Sequence, residues 1–346
     1  MSFISRILNK NFFIRLRSWE YWPFWVVQFP LLLYWLWLSI RSRSLLFFSA
    51  SNPSIVMGGM LGESKYGVLK RVPPQLIPRT IFVEKPLTAD QVVLLLKKNE
   101  LDFPLIFKPD IGERGFMVKR IFSVSDVAKY VKEIKGSFLI QELIDLPVEC
   151  GVFYTRFPDQ PQGKVTSLVF KEMLSVTGDG HSTVQQLILN YERAKLQWER
   201  LRLSHDHALE KVLPTGDSLE LNSIGNHCLG TKFLNGNEYI NDELSTVIDS
   251  ICKQIGGYYF GRIDLRCASL EDLHKGNVKI MEVNGCGAEP GHIYQPGFSL
   301  LAAYGVLFGH WKNIFLISEQ NKKLGHTYPS LMEGVRIFKE FRRAMS

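Results

Sequence analysis

The strongest constraint on the fold is a pair of strand-like segments, FGRIDLRCA at 260–268 and NVKIMEVNG at 277–285. Only a short polar segment separates them, so the sequence predicts an antiparallel strand pair joined by a turn. Side chains alternate between the two faces of a strand, so Glu282 and Asn284 share one face and converge with Asp264 from the neighbouring strand. Carboxylate and amide oxygens are hard ligands, and this set predicts a Mg²⁺ site.

An ion pair on a solvated face is the alternative interpretation of the same strands. Arg262 and Asp264 have the right spacing to pair with each other. Exposed ion pairs contribute little to stability. The combination of both residues with Glu282 and Asn284 therefore favours a binding site.

The rest of the chain predicts a mixed fold of helices and strands. With 346 residues it is long enough for more than one core, and it contains no internal repeat. Strand-like and helical stretches alternate after residue 62. The strand-like stretches are 80–84, 105–109, 138–143 and 164–170, and the helical ones include 89–98 and 125–135.

Charge and cysteine content exclude some classes of function. The net charge of +7 comes from basic residues spread along the chain, whereas a nucleic-acid-binding arm would group them. No nucleic-acid partner is therefore expected, and nucleotide phosphate or a lipid surface accounts for the charge equally well. The five cysteines form no CxxC pair, which excludes the common zinc and disulfide patterns and favours the cytoplasm.

Residues 22–40 form an uncharged, aromatic-rich segment that is just long enough to cross a bilayer of about 30 Å. Two prolines interrupt it, and tryptophan and tyrosine prefer the headgroup level. Arginines flank both ends, so the positive-inside rule puts both ends in the cytoplasm. We therefore expect peripheral contact with the inner face of the membrane through residues 1–44. The alternative is an apolar helical hairpin that packs on the protein or forms a dimer interface.

A lysine followed by a glycine-bearing loop occurs in the segment FPLIFKPDIGERGFMV. Lys108 ends a strand, and Gly112 and Gly115 lie in the loop. An ammonium group screens phosphate charge, and glycines let backbone N–H groups approach phosphate oxygens. The spacing matches neither the P-loop motif nor the dinucleotide-binding motif. Further along, the strand at 138–143 leads to Glu149. The backbone of such a segment suits hydrogen bonds to the edge of adenine, and the carboxylate suits the hydroxyl groups of a ribose.

In this order, the motifs resemble the ATP-grasp superfamily, in particular its ligase branch with D-alanine:D-alanine ligase and cyanophycin synthetase. The resemblance covers roughly residues 62–300. It implies an α+β, ATP-grasp fold in which two α/β lobes enclose the nucleotide, preceded by an apolar helical N-terminal segment. The implied division of the chain is 1–60 for that segment and linker, 61–140 and 141–310 for the two lobes, and 311–346 for a helical extension.

The resemblance also assigns roles to individual residues, with ATP and Mg²⁺, or Mn²⁺ in its place, as cofactors. Nucleotide-binding positions are Lys65, Lys108, Gly112, Glu113, Arg114, Gly115, Gln141, Glu142, Leu143, Ile144, Glu149 and Lys171. The metal ligands are Asp264, Glu282 and Asn284, and the catalytic cations are Arg262 and Lys171.

Three further residues are expected near the substrate. The segment VTGDGHSTVQQLI is similar to one in cyanophycin-synthetase-like ligases and suggests His181, while Glu289 and His292 follow the metal strand. Typical family members carry a separate substrate-binding domain ahead of the catalytic lobes, which about 60 apolar residues replace here. Substrate recognition is therefore expected to be reduced, delegated to the apolar segment or shared with another subunit. GCGAEPGHIYQPG replaces the serine-bearing turn of dipeptide ligases, which disfavours D-alanine as substrate.

The resemblance implies a ligase that joins a small-molecule carboxylate to an amine or thiol acceptor through an acyl phosphate. No covalent protein intermediate is needed, which agrees with a set of lysines, arginine and carboxylates. Two other classes stay open: a kinase-like or pseudo-enzymatic ATP binder without ligation, and a membrane-bound scaffold with a degenerate fold.

Overall fold

The computed structural model describes residues 10–112, 115–222 and 224–344. Helices and two antiparallel sheets of four and five strands make up most of this part of the chain. A third sheet has two strands. The predicted α+β fold class is confirmed.

The smaller of the two main sheets has the strand order β1-β4-β2-β3. Helices Ala89–Lys98 and Val124–Glu133 cover one face, and each begins at a hydroxyl N-cap. Alternation along β2 sends Phe107 into the core beneath these helices and leaves Lys108 on the opposite face. The strands are β1 (Thr80–Val83), β2 (Leu105–Pro109), β3 (Lys119–Ile121) and β4 (Phe138–Glu142).

The larger sheet has the order β11-β10-β5-β6-β9. Helix Asp242–Ile255 packs on one face over a buried apolar core that includes Ile263 and Ile280. The other face carries the charged side chains of β10 and β11. The strands are β5 (Val148–Thr155), β6 (Lys164–Glu172), β9 (Lys232–Asn235), β10 (Phe260–Cys267) and β11 (Val278–Asn284).

The predicted antiparallel pairing of the last two strands is correct, and Asp264 lies opposite Glu282 in the register. Their connection was predicted wrongly, because it contains the helix Leu270–Lys275 instead of a simple turn. The Ser269 hydroxyl accepts a hydrogen bond from the Asp272 backbone and starts this helix. Gly276 ends it in a left-handed conformation.

The GDGH segment lies in a small subdomain built on strands β7 (Ser175–Thr177) and β8 (Ser218–Glu220). The Asp179 carboxylate accepts hydrogen bonds from the backbone of His181 and Ser182. These bonds and the hydroxyl of Ser182 hold the pKa of Asp179 well below its usual range. The short helices of this subdomain are Val184–Asn190, Glu192–Lys195 and Trp198–Ser204.

The apolar N-terminal segment forms the helices Asn11–Arg17 and Phe24–Ser42. Pro30 lies inside the second helix, hereafter the N-terminal helix, which is continuous through it. Val27, Leu31 and Leu38 are buried. They face the protein body, including the long helix Leu300–Lys323. The opposite face is exposed.

The connection after the N-terminal helix belongs to the folded body. Ordered catalytic structure was expected to begin near Gly62, and this expectation is wrong. The short 3-10 helices Phe47–Ser51 and Val56–Gly59 are largely buried. The side chain of Asn52 donates to the carbonyls of Gly58 and Phe260, which fastens this connection to the larger sheet.

The C-terminal helix spans Leu331–Ala344, where the sequence suggested a basic amphipathic helix. It packs through Gly334 against Leu46. Strand β4 crosses the predicted boundary between residues 140 and 141, and the long helix crosses the one between 310 and 311. The division into lobes stays a prediction.

Candidate functional site

A cavity of about 780 Å³ lies between the two main sheets and is closed on a third side by the N-terminal segment. The charged faces of strands β2, β10 and β11 line this cavity. Its lining includes Lys65, Lys108, Gly112, Gly115, Gln141, Glu142, Leu143, Ile144, Glu149, Lys171, Arg262, Asp264, Glu282, Asn284 and Glu289. The sequence motifs are therefore brought together in one place.

Asp264 is the most heavily contacted carboxylate in the cavity. Its oxygens lie 2.9 Å from the Lys171 ammonium and 3.0 Å from the Arg262 guanidinium. The Asn284 side-chain amide donates to it at 2.9 Å. Burial alone would raise the pKa of Asp264, but these cations lower it to about 2. Asp264 is therefore ionised at any physiological pH.

Glu282 faces Lys65 across the same cavity. The Lys65 Nζ lies 2.7 Å from Glu282 Oε1 and donates to the carbonyl of Gly112 at 2.5 Å. Burial disfavours both charges, but their attraction outweighs it, so the pKa of Lys65 is raised and that of Glu282 is lowered. Asp110 supports this arrangement by accepting from the Ser64 hydroxyl and the Tyr66 backbone.

Lys108 differs from the other cations of the cavity. It is 7% exposed, and its Nζ donates to the Met281 carbonyl at 2.9 Å. Within the described residues, no carboxylate oxygen lies within 4.0 Å of this ammonium. Burial, together with the nearby Lys65 charge, lowers the pKa of Lys108 to about 8 although Glu282 opposes the shift. Among the described residues of the site, Lys108 is thus a buried cation without a bonded carboxylate.

Lys171 and Arg266 share the Glu149 carboxylate. Lys171 Nζ lies 3.3 Å from Glu149, and Arg266 Nη2 lies 2.7 Å from it. Arg266 also donates to the carbonyls of Ile144 and Leu146. The pKa of Lys171 is raised despite its burial, because Asp264 and Glu149 both face it.

The predicted adenine hinge, Gln141 to Ile144, lines one end of the cavity. Gln141 is buried and its amide donates to Thr80 at 3.0 Å. Glu142 pairs with Arg79 at 2.7 Å. The side chains of these two residues are therefore already engaged, and their backbone belongs to strand β4, which pairs with β1 and β2. Leu143 and Ile144 are left to meet a ligand at this end of the cavity.

The predicted phosphate-binding loop is described in part. Gly112 and Gly115 line the cavity, and Gly115 has a φ of 76°, in the left-handed region that favours glycine. Glu113 and Arg114 lie outside the described residues.

The three predicted substrate-side residues have different positions. The Glu289 carboxylate lies in the cavity, where it accepts from the Gln28 amide at 2.7 Å and from the Tyr294 hydroxyl. His181 is on the exposed turn beside Asp179 and does not line the cavity. His292 does not line it either: it is buried, and its ring nitrogen bonds the hydroxyl of Ser167 at 2.6 Å.

The sequence offered the N-terminal segment as one possible place for substrate recognition but did not identify which of its residues line this cavity. Trp19, Glu20 and Gln28 line it together with His227. Glu20 is buried and pairs with Arg193 at 2.7 Å and with His227 at 2.8 Å. Glu20 itself was the signal in the sequence, because it stands directly before a long uncharged segment. If such a segment packs on protein, the acidic side chain beside it needs a partner.

The side-chain oxygens of Asp264, Glu282 and Asn284 fit a divalent cation only together with ligands from other molecules. Within the described part of the chain, no group of three or more His, Cys, Asp and Glu side chains is arranged to hold a metal. Asp264, Glu282 and Asn284 nevertheless present hard oxygens from paired strands. Two carboxylates and an amide suit Mg²⁺ that takes its remaining ligands from phosphate or water.

Comparisons with known proteins find solved structures of low similarity. No protein-family model matches the sequence, and no curated protein matches it. A bifunctional glutathione synthetase from Pasteurella multocida superposes with a TM-score of 0.36 at 14% identity, covering 71% of this chain and 36% of that protein. VanG D-Ala:D-Ser ligase from Enterococcus faecalis gives 0.40 at 15% identity, with 74% and 64% covered. D-alanine–D-alanine ligase from Bacillus anthracis gives 0.38 at 15% identity, with 78% and 71% covered.

The three solved structures named above are a glutathione synthetase and two ligases of D-amino acids. The chain spans 36% of the length of the glutathione synthetase and 64% of that of the VanG ligase. Because the TM-scores do not exceed 0.40 and the identities do not exceed 15%, these likenesses carry no argument about activity. Reaction and substrate have to be inferred from the residues of the cavity.

Proposed function

We propose that the protein is an ATP-dependent ligase that joins a carboxylate to an amine, or to a thiol, through an acyl phosphate with Mg-ATP. The observation that carries this proposal is Lys108. An ammonium buried without a carboxylate is costly unless an anion joins it. A triphosphate is an anion of the right size and charge for a cavity of about 780 Å³.

The neighbouring cations support this choice of anion. Lys65, Lys171 and Arg262 each pair with a carboxylate at 2.7 to 3.0 Å. The carboxylates hold these cations in place, and a bound metal–triphosphate would share both kinds of charge. Phosphoryl transfer depends mainly on positioning and charge neutralisation, so a site of this composition is suited to it.

We assign the residues accordingly. Lys65 and Lys108 would hold phosphate oxygens with the loop backbone at Gly112 and Gly115, while Lys171 and Arg262 neutralise charge at the transferred phosphoryl group. The backbone of residues 141–144 would meet adenine, and Glu149 the ribose. Asp264, Glu282 and Asn284 would hold Mg²⁺, which when bound supplies charge neutralisation between the phosphates.

The proposed reaction has two steps. A substrate carboxylate oxygen attacks the γ-phosphorus of ATP, the bond from that phosphorus to the β–γ bridging oxygen breaks, and ADP leaves. The acceptor nitrogen or sulfur then attacks the acyl carbon, inorganic phosphate leaves and the acceptor loses a proton. Arg262 lies beside Asp264 and donates to the Glu289 carbonyl at 3.3 Å. Arg262 therefore lies between the part of the cavity that we assign to the phosphates and the part that contains Glu289.

Glu289 marks the acceptor side in this proposal. Gln28 and Tyr294 fix its carboxylate within the cavity. A fixed carboxylate is suited to orient an ammonium group and to take up the proton that the acceptor releases. His181 and His292 are left out of this assignment because neither lines the cavity.

Hydroxylamine trapping tests the proposal directly. The purified full-length protein is incubated with Mg-ATP, hydroxylamine and pools of amino acids, hydroxy acids and lipid-linked acids. An acyl phosphate reacts with hydroxylamine to give a hydroxamate and phosphate, so we expect ATP-dependent hydroxamate with at least one pool. ADP formation with a phosphorylated product and no hydroxamate would instead indicate the kinase-like alternative. ATP binding without ADP formation would indicate a pseudo-enzyme.

A matched pair of variants tests the metal assignment. Glu282→Gln keeps the size of the side chain but removes a charge that we assign to Mg²⁺, so Mg-dependent turnover should fall at least about 100-fold. Glu271→Gln removes an exposed carboxylate on the helix after β10 and serves as the control. Full Mg-dependent turnover in Glu282→Gln would contradict the assignment.

A further inference from the structure

The N-terminal helix exposes a continuous apolar face. Its outward side chains recur at spacings of three and four residues, which places them on one side of the helix. Trp25 is 73% exposed and Ile40 is 77% exposed. The other members of this face are Phe29, Leu32, Leu33, Leu36 and Trp37.

The inward face of the same helix is fixed to the protein. Leu31 packs with Ile293 and Leu307, and Leu38 packs with Phe47 and Ile314. Two helices of the described residues, Phe24–Ser42 and Leu300–Lys323, are long and apolar enough to cross a bilayer, a test that buried helices also pass. Since one side of the N-terminal helix is held along its length, its outer side is available to a surface that lies parallel to it.

A groove that carries basic side chains on a largely apolar lining adjoins this apolar face. It has a volume of about 790 Å³ and lies between the end of the N-terminal helix and the start of the C-terminal helix. Leu36 and Ile40 belong to both the groove and the apolar face. Arg43 and Lys322 supply its exposed positive charge. Apolar side chains, including Leu45, Leu46 and Leu331, make up most of the remaining lining. Hydroxyl groups are contributed by Ser39, Ser44, Thr327, Ser330 and Tyr328, and the hydroxyl of Tyr328 donates to Glu319.

We propose that the apolar face and this basic groove together dock the protein on an anionic lipid bilayer, with the N-terminal helix in the plane of the interface and a lipid phosphate in the groove. Aromatic side chains prefer the headgroup level, and cations beside an apolar face attract anionic lipids. Arg41 adds to this pattern, because its guanidinium lies over the rings of Trp37 and Phe315 and stays exposed.

Charge complementarity favours a bilayer over a second copy of the chain as the occupant. In a two-fold dimer through this face, identical grooves lie on both sides of one symmetric interface. The N-terminal helix contains no Asp or Glu, so its face in one copy offers no anion to Arg43 and Lys322 of the other, which disfavours association. An anionic bilayer offers acyl chains to the apolar face and phosphate groups to the cations.

The docking proposal is independent of the proposed ligase activity, because none of the docking residues contacts the charged cluster at Asp264.

Vesicle co-sedimentation of the full chain tests the apolar face. We expect binding to vesicles of phosphatidylcholine and phosphatidylglycerol. The variant Trp25→Ser/Phe29→Ser/Ile40→Ser should partition at least about 30-fold more weakly, since it removes three large side chains from the interface. These side chains are exposed, so circular dichroism and ATP binding should stay as in the unmodified protein.

A control variant matches the number and exposure of the substituted residues. Leu94→Ser/Phe122→Ser/Leu203→Ser changes side chains that are 62% to 71% exposed and lie elsewhere on the protein. It should bind vesicles like the unmodified chain. Equal loss in both triple variants, or no vesicle binding by the unmodified chain, would overturn the proposal.

A charge variant tests the groove. Arg43 has a φ of 57°, which asparagine tolerates well, so Arg43→Asn/Lys322→Gln removes two charges without straining the backbone. Affinity for anionic vesicles should fall about 20-fold at low salt. Lys98→Gln/Lys129→Gln removes two exposed charges elsewhere and should have little effect. Unchanged affinity in the groove variant, or a stable dimer that the triple serine variant dissociates, would contradict the docking surface.

Discussion

In the ligase proposed above, the pH dependence of nucleotide binding is the most direct consequence of the buried Lys108 ammonium. Lys108 has a pKa of about 8 in the nucleotide-free protein because burial disfavours its charge. A phosphate oxygen beside it favours the charged form, so the pKa should return at least to the ordinary value of 10.5. Binding therefore requires a proton that the free protein progressively loses above pH 8, and the affinity for ATP should fall as the pH rises.

The size of the effect follows from these two values. With one proton taken up on binding, the affinity falls about 20-fold between about pH 7.5 and about pH 9.5, and most of this loss occurs above pH 8. Lys65 and Lys171 do not contribute, because their pKa values are raised and both stay protonated over this range. The triphosphate is fully ionised throughout.

Isothermal titration calorimetry with Mg-ATP, repeated in buffers of different ionisation enthalpy, measures both affinity and proton uptake. The unmodified protein should take up close to one proton at about pH 9. Lys108→Met should bind more weakly at neutral pH and show no proton uptake from this position, while Lys98→Met at an exposed site serves as control. A flat affinity profile in the unmodified protein, or the same slope in Lys108→Met, would refute the assignment of Lys108 to the phosphates.

Two further predictions concern stability. Gly285→Ala should lower the free energy of unfolding by about 2 kcal/mol, because its Cβ would meet the Gly58 carbonyl oxygen at 2.3 Å and the Gly59 Cα at 2.6 Å; urea denaturation measures it. Glu20→Ala should cost roughly 3 kcal/mol in the same assay, because it leaves the Arg193 guanidinium buried without its carboxylate.

Controls for these two variants lie on exposed positions. At Gly305, in the long helix, an added Cβ meets nothing within 4 Å, so Gly305→Ala should be neutral or stabilising by up to about 1 kcal/mol. Glu199→Ala removes an exposed carboxylate and should change stability by less than about 0.5 kcal/mol. A Gly285→Ala protein as stable as Gly305→Ala would contradict the close backbone approach.

The charged cluster was predictable because strand alternation is a local property. Placing Asp264, Glu282 and Asn284 on one side of the larger sheet required only the period of two residues and the pairing of adjacent strands. The same alternation explains why Lys108 lies on the face of the smaller sheet opposite to Phe107. The helix Leu270–Lys275 was missed because a single helical turn with a serine cap and a glycine end is hard to distinguish from a polar loop.

The cavity wall supplied by the N-terminal segment was not predictable in the same way. The sequence of this segment is apolar on all sides of the helix, so its local pattern does not indicate which side packs on the protein. Gln28 reaches Glu289 only because the whole helix is positioned by distant contacts. Likewise, His292 follows strand β11 closely in the sequence, but the chain places it beneath β6, where it contacts Ser167.

One helix lies between the cavity and the outer surface of the protein. Gln28 donates to the carboxylate of Glu289 on the inside, while Trp25 and Phe29 of the same helix are exposed on the outside. Under the two proposals made above, the element that fixes the acceptor-side carboxylate is therefore also the element that would rest on the bilayer.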